Sequence, residues 1–315
     1  MFNLLINFLN EVYFILLMNS NTTNLAYLIP PTFKQTIALW LEEDIPSFDY
    51  SSCVVGDKPE IAILYGKATG VLAGVPFINM VFELVHCTIE WFVEEGTFMN
   101  PDISKGREGY LKLAKVTGLA KDILMGERLA LNILATASGI AYKSYRLNQI
   151  ALSVDEFKGK VAATRKVTPG FRLVQKYAVL VGGCDSHRMD LSSMIMLKDN
   201  AIDSCGSITN AVKEARKLGG FSLKIEVESR NLEEAMEAGK ANADVIMLDN
   251  FSPSEAIRVS KLIKEEFPHI MIEVSGGITE ETAKLYMGPH IDILSTSSLI
   301  QGVPVVDFSL KIQKQ

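Results

Sequence analysis

Cysteine is scarce and unpatterned in this 315-residue chain: Cys53, Cys87, Cys184 and Cys205 share no metal-binding spacing and form no dense disulfide framework. Reduced thiols and a cytoplasmic protein are the expectation. Positive charge is also short. Lys and Arg number 31 against 37 Asp and Glu, a formal net charge of −6, which excludes the broad basic face that nucleic acid requires. Only 4 histidines are present, so few positions are open to imidazole acid–base chemistry. Low-complexity tracts and short repeats are absent. No membrane span is expected: the apolar Met1–Met18 is broken by Asn3, Asn7, Asn10 and Glu11 and lacks the basic start of a secretory signal. It reads either as an amphipathic helix or as sequence upstream of a start at Met18. Residues 1–24 are therefore set apart as an apolar, then polar, extension.

What is present is apolar content of 48%, enough for a large core and two domains, or one barrel with an appendage. Within the acidic background, Ala163–Asn200 is a cationic island carrying Arg165, Lys166, Arg172, Lys176, Arg188 and Lys198, with His187 beside them. Arg172 and Lys176 lie four apart in Phe171–Val181 and are expected on the solvated face of an amphipathic helix. Arg165-Lys166, His187-Arg188 and Lys198 each follow an apolar or small-residue run. A chain leaving a strand would expose them, and a small polyanion is the partner that such cations select.

From Leu25 to about Leu131, short apolar runs (Ile61–Tyr65, Gly70–Ala73, Thr88–Val93, Tyr110–Leu119, Lys121–Leu124) are punctuated by glycine. Helical spacing over Thr32–Glu43 and Phe77–Val85 accompanies them. That texture predicts a small α/β domain on a mostly antiparallel sheet. Gly126–Leu152 predicts a long helix with Arg128 in its first turn, where the helix dipole disfavours a cation. Arg128 is then either a surface or capping residue or an arginine aimed at an anion across an interface.

From Gly159 the rhythm becomes strand, polar end, helix. Strand ends fall at Arg165-Lys166, Lys198-Asp199-Asn200, Glu228, Asp249-Asn250, Ser275-Gly276-Gly277 and Ser295-Thr296-Ser297. Such repetition predicts parallel strands in a closed or nearly closed barrel, with function gathered at the C-terminal strand ends. In Lys224-Ile-Glu226-Val-Glu228 the charges alternate with apolar residues, so they face inward and need partners, for which Lys198 and Lys224 are the candidates. Ser275-Gly276-Gly277 before a helix, followed one unit later by Ser295-Thr296-Ser297, reads as a phosphate cradle.

In order, ATRKVTPGFR, VGGCDSHRMDLSSMIMLKDN, KIEVE, ADVIMLDNF, EVSGGIT and HIDILSTSSL resemble quinolinate phosphoribosyltransferase, the carboxylating nicotinate-nucleotide pyrophosphorylase family, in its eukaryotic branch. The likeness covers roughly Leu28–Lys311. It implies a type II phosphoribosyltransferase fold: an N-terminal α/β sandwich (25–131, joined by 301–315) and an incomplete (β/α) barrel (132–300). It implies Mg2+, quinolinate and phosphoribosyl pyrophosphate as ligands, and a homodimer or hexamer of dimers. By resemblance, Arg128 binds quinolinate in the neighbouring subunit, and Arg165, His187, Arg188 and Lys198 hold its carboxylates. Lys166 and Lys198 serve the phosphate-rich substrate, and Glu228 and Asp249 take the ribose or the magnesium pyrophosphate. Ser275, Gly276, Gly277, Ser295, Thr296 and Ser297 hold the 5′-phosphate. The catalytic set is Lys166, Lys198, Glu228 and Asp249. No covalent nucleophile is needed, which sets aside the cysteines and Ser186.

Two departures stand out. Ala201 occupies a position that is often His in the family, and Ser297 one that is often Gly. Two rival readings are a non-decarboxylating transferase for a related aromatic acid and a non-catalytic sugar-phosphate-binding barrel. A di-acid needs more cations than a mono-acid. Plain anion binding has no use for both Glu228 and Asp249.

Overall fold

The computed structural model describes residues 24–313. The apolar segment Met1–Met18 and its two readings lie outside the described residues. A 3-10 turn at Leu25–Leu28 leads into α1 (Phe33–Asp44), α2 (Tyr50–Val55), β1 (Pro59–Gly66), β2 (Gly70–Val71), α3 (Val75–Leu84), β3 (Thr88–Trp91), β4 (Phe98–Met99) and β5 (Leu111–Leu119). Asp49 starts α2 by accepting from the Ser52 backbone N–H, a capping contact with no hydrophobic periodicity to announce it.

β5 runs directly into α4 (Ala120–Leu152), a helix of 33 residues. Lys121–Leu124, expected to be strand, is therefore helix. Arg128 stands in the third turn of α4 rather than its first, at about 3.6 residues per turn, and the expected conflict with the helix dipole does not arise. The junction lacks a capping side chain, so nothing in the sequence marks the change. α4 is long and apolar enough to span a membrane by composition. Here Ile133, Leu134, Ala137, Ile140 and Ala141 are at most 1% exposed, which identifies it as a core helix.

The barrel follows as β6 (Lys160–Ala163), α5 (Arg172–Val181), β7 (Ile195–Leu197), α6 (Asp199–Cys205), α7 (Ile208–Gly219), β8 (Ile225–Ser229), α8 (Leu232–Lys240), β9 (Val245–Asp249), α9 (Pro253–Glu266), β10 (Met271–Ser275), α10 (Glu280–Ala283) and β11 (Ile293–Thr296). The six strands form one parallel sheet in the order β6-β11-β10-β9-β8-β7. β6 and β7 remain at its two ends, and the barrel is incomplete. A short piece at Asp185 pairs with the free edge of β6 through Asp185 N to Val161 O (2.8 Å) and Ala163 N to Asp185 O (2.9 Å).

The chain closes with β12 (Phe308–Ile312), which pairs antiparallel with β1 in a sheet ordered β12-β1-β5-β3. β2 and β4 form a separate two-stranded ladder. The two layers are joined by more than α4. Glu95 accepts from the backbone N–H of Gly74 (2.7 Å) and Val75 (2.9 Å) at the start of α3, and from the Tyr177 hydroxyl on α5. Burial raises the Glu95 pKa against these hydrogen bonds, which lower it.

Candidate active site

In a parallel sheet, paired residues share a face. Register therefore aligns Glu228 with Met247, Met247 with Glu273, and Glu273 with Ile293. One step further toward the C-terminal ends it aligns Asp249 with Ser275. These inward side chains and the loops beyond them enclose a cavity of about 380 Å³. Arg165, Lys166, His187, Arg188, Lys198, Glu228, Asp249, Ser275, Gly276, Gly277, Ser295, Thr296 and Ser297 all line it. Arg128 does not: it is exposed on α4 with no hydrogen-bond or ion-pair partner among the described residues. A second depression, between Leu232, Met236 and Leu262 on α8 and α9, holds only Glu265 and Glu266 as charged groups. It offers no convergence of catalytic groups.

The cavity has two unlike rims. On one, Arg165, Lys166 and Arg188 carry no carboxylate partner among the described residues. Arg188 Nη2 lies 3.0 Å from Met196 Sδ. Its pKa is lowered chiefly by burial, while the charges of Glu226 and Glu273 oppose that shift. Lys198 is ion-paired to Glu228. His187 turns the chain with a left-handed φ of 55°, a conformation rare for a non-glycine residue and concentrated at functional sites. Its Nδ1 accepts from the Arg188 backbone N–H (2.8 Å), which leaves the ring hydrogen on Nε2, 2.9 Å from Glu273 Oε2.

The other rim is built from backbone. Gly276 has φ 102°, and a Cβ there would meet Asn250 Oδ1 at 2.3 Å and Asn250 N at 2.7 Å. Only glycine satisfies both constraints. Gly277 follows at φ 62° with open space beside it, and both glycines line the cavity. The Ser295 hydroxyl donates to Glu273 Oε1 (2.6 Å) and lies 3.0 Å from Ser275 Oγ. Thr296 Oγ1 accepts from Ser298 N (3.0 Å). Ser297 is not among the residues with positive φ, so serine is accommodated there without backbone strain. Ala201 lies within α6, packed against the core.

Several groups beside the cavity were not among the candidate site residues, although Glu226 was expected to face inward. Glu273 is fully buried and bridges the rims, with one carboxylate oxygen on His187 and the other on Ser295. The alternation Met271-Ile-Glu273-Val-Ser275 is the same inward pattern as Lys224–Glu228 and could have identified it. Glu226 is also fully buried, and neither of its oxygens has a hydrogen-bond partner among the described residues, although Oε2 lies 4.0 Å from His187 Nε2. Burial, then the charge of Glu273, pushes its pKa far above the usual carboxylate range. Lys224, expected to pair with it, is exposed and reaches only Met271 Sδ at 3.8 Å. His187, Glu226 and Glu273 hold ligand-type atoms within 4.8 Å of one another. The His187–Glu273 hydrogen bond and a proton on Glu226 account for that group without a metal. Lys176, expected on a solvated face, is 1% exposed, whereas Arg172 is exposed as expected.

Asp249 and Glu228 are the acids open to a ligand. Burial and then the neighbouring charge of Glu228 raise the Asp249 pKa. A divalent cation would relieve that repulsion, so this oxygen-rich pair suits Mg2+.

Comparison with known proteins identifies the family. Residues 49–138 match the family model for the N-terminal domain of quinolinate phosphoribosyl transferase, and residues 140–311 match that for its C-terminal domain. The division falls inside α4. The carboxylating nicotinate-nucleotide pyrophosphorylase of Dictyostelium discoideum is 51% identical over 293 residues, covering 90% of this chain and 98% of that protein. The Homo sapiens enzyme of the same name is 43% identical over 289 residues, covering 91% and 94%. The solved nicotinate-nucleotide pyrophosphorylase of Francisella tularensis superposes with a TM-score of 0.81 at 29% identity, covering 93% of this chain and 100% of that one. Human nicotinic acid phosphoribosyltransferase, at 14% identity and a TM-score of 0.54, shares the fold alone. The chain belongs to the quinolinate phosphoribosyltransferase family.

Proposed function

We propose that this enzyme transfers the phosphoribosyl group of phosphoribosyl pyrophosphate to quinolinate and decarboxylates the product. The products are nicotinate mononucleotide, pyrophosphate and carbon dioxide, in NAD synthesis. One observation carries the reading: Arg165, Lys166 and Arg188 converge without carboxylate partners among the described residues on a cavity that a glycine–serine cradle also lines. A doubly negative ring suits the first rim and a 5′-phosphate the second.

The chain's own groups then have separable roles. Arg165, Arg188 and Lys198 hold the ring carboxylates, with His187 on the same wall. Ser275, Gly276, Gly277, Ser295, Thr296 and Ser297 hold the 5′-phosphate. Lys166 and Lys198 face the pyrophosphate. As the pyrophosphate bond breaks, positive charge develops on the ribose, and Glu228 and Asp249 stabilise it. The ring nitrogen attacks the anomeric carbon and becomes cationic. That cation stabilises the carbanion left when the adjacent carboxylate departs as carbon dioxide, and the carbanion takes a proton from water to give nicotinate mononucleotide. Mg2+, held by Glu228 and Asp249 largely through the substrate, would neutralise charge on the departing pyrophosphate.

Arg128, exposed and unpartnered on α4, is proposed to complete the site of a second subunit in a homodimer, alone or within a hexamer. The four cysteines are free thiols, which supports a cytoplasmic enzyme. The test is an assay of quinolinate with phosphoribosyl pyrophosphate, with and without Mg2+. Metal-dependent release of carbon dioxide in step with nicotinate mononucleotide is expected. Nucleotide formation from nicotinate, with none from quinolinate, would overturn the reading.

A further inference from the structure

We propose that Lys176 is a positioning residue that locks the two cation-bearing loops into one wall and supplies a buried positive charge behind them. This rests on the quinolinate reading above. α5 is amphipathic, and a lysine in its middle would ordinarily face water. Here the side chain is among the largest fully buried ones. Its Nζ donates to Ala163 O (2.8 Å), Thr164 O (2.9 Å) and Ser186 O. An ammonium has three hydrogens, and all three are used. Two acceptors immediately precede Arg165-Lys166, and the third immediately precedes His187-Arg188.

The backbone explains why a side chain is needed there. The Asp185 piece pairs with β6 only as far as Ala163. Beyond that point no backbone hydrogen bond joins the two loops among the described residues. Lys176 takes over where the pairing stops.

Charge sets this device apart from mere glue. Lys176 has no ion-pair partner among the described residues. Burial first, then the charges of Arg172, Arg188 and Arg165, pushes its pKa down to about 8. An unpaired buried cation among arginines is costly. It becomes favourable once a dianion lies in front of the wall, because the charge is weakly screened there. The phosphate turns at Ser275–Gly277 and Ser295–Ser297 receive no hydrogen bond from Lys176.

The experiment compares Lys176→Met and Lys176→Arg with the wild type. KM is measured for each substrate, and quinolinate binding is measured directly by calorimetry. Lys176→Met is expected to raise the quinolinate KM and Kd about tenfold or more, the equivalent of one charged hydrogen bond lost. The phosphoribosyl pyrophosphate KM should rise by a smaller factor, because Lys166 alone of the cations on these two loops faces the pyrophosphate. Lys176→Arg, which keeps the charge, should recover part of the loss. An unchanged quinolinate KM, or equal rises for both substrates that follow a fall in Tm, would overturn the proposal. If Lys176→Met does not fold, Lys176→Gln, which retains two donors and no charge, is judged by the same split. Absence of carbon dioxide release by the wild type would sink the functional reading alone. Calorimetric titration of quinolinate into wild type and variant would still decide Lys176.

Discussion

On the proposed assignment of an acid-binding and a phosphate rim, the two rims of the cavity hold anions by different physics. The acid-binding rim is made of side-chain charges, and its backbone needs outside support. That support comes from the carbonyls gathered by Lys176 and from a left-handed turn at His187 fixed by Glu273. The phosphate rim is made of backbone geometry and hydroxyls that satisfy one another. A charged rim tunes affinity to the number of charges on the ligand. A backbone rim reads shape and tolerates little change in its own conformation. The two meet at Glu273, whose carboxylate bonds to both.

Breaking that meeting point should have the largest effect. Glu273→Ala leaves His187 Nε2 and Ser295 Oγ buried without their acceptor, at about 2–3 kcal/mol. Steady-state kinetics should show KM rising for both substrates, unlike a variant confined to either rim. Next comes Gly276→Ala, which meets a forbidden φ and the Asn250 side chain, at about 1–3 kcal/mol of strain. It should raise the KM for phosphoribosyl pyrophosphate by roughly tenfold and spare quinolinate binding.

Away from both rims, Glu95→Ala removes the acceptor for Gly74 N, Val75 N and the Tyr177 hydroxyl. Thermal melts should show a loss of about 2 kcal/mol, or about 5 °C, with KM values kept. Glu95→Gln sharpens this with pH. The Glu95 pKa is raised above 4.5 by burial, so the folded wild type retains a proton that the unfolded chain releases. Wild-type stability from this group is therefore present below about pH 4.5 and lost as pH rises through the raised folded value. The Tm difference should shift in favour of Gln across that window. The smallest effect is expected for Ser297→Gly. Serine there sits at ordinary φ, so activity should stay within about twofold, apart from the small entropic cost of glycine.

The sequence made the barrel legible because each β/α unit repeats a strong local pattern, and its strand ends fell within a few residues of the observed ones. The placement of the glycine–serine turns on the cavity was legible for the same reason: both fall at the C-terminal ends of strands one β/α unit apart. The supports were not legible. Lys176 has the spacing of a solvated helix face, and only the convergence of three carbonyls distant in sequence reveals its burial. Glu273 sits in an alternating strand whose partners, His187 and Ser295, are set by sheet register. Arg128 was misplaced within its helix because β5 passes into α4 with no proline or capping side chain to signal the change, and Gly118 lies inside the strand rather than in a turn. The expected pairing of Lys224 failed because β8 begins one residue later, at Ile225, leaving Lys224 exposed ahead of the strand.

The central claim is that the charged rim counts carboxylates. Calorimetric titration of quinolinate and of nicotinate into wild type and Arg188→Ala tests it most directly. Loss of one desolvated charge partner, about 3 kcal/mol, should weaken quinolinate roughly a hundredfold and nicotinate far less. Equal losses for the two acids would contradict the account.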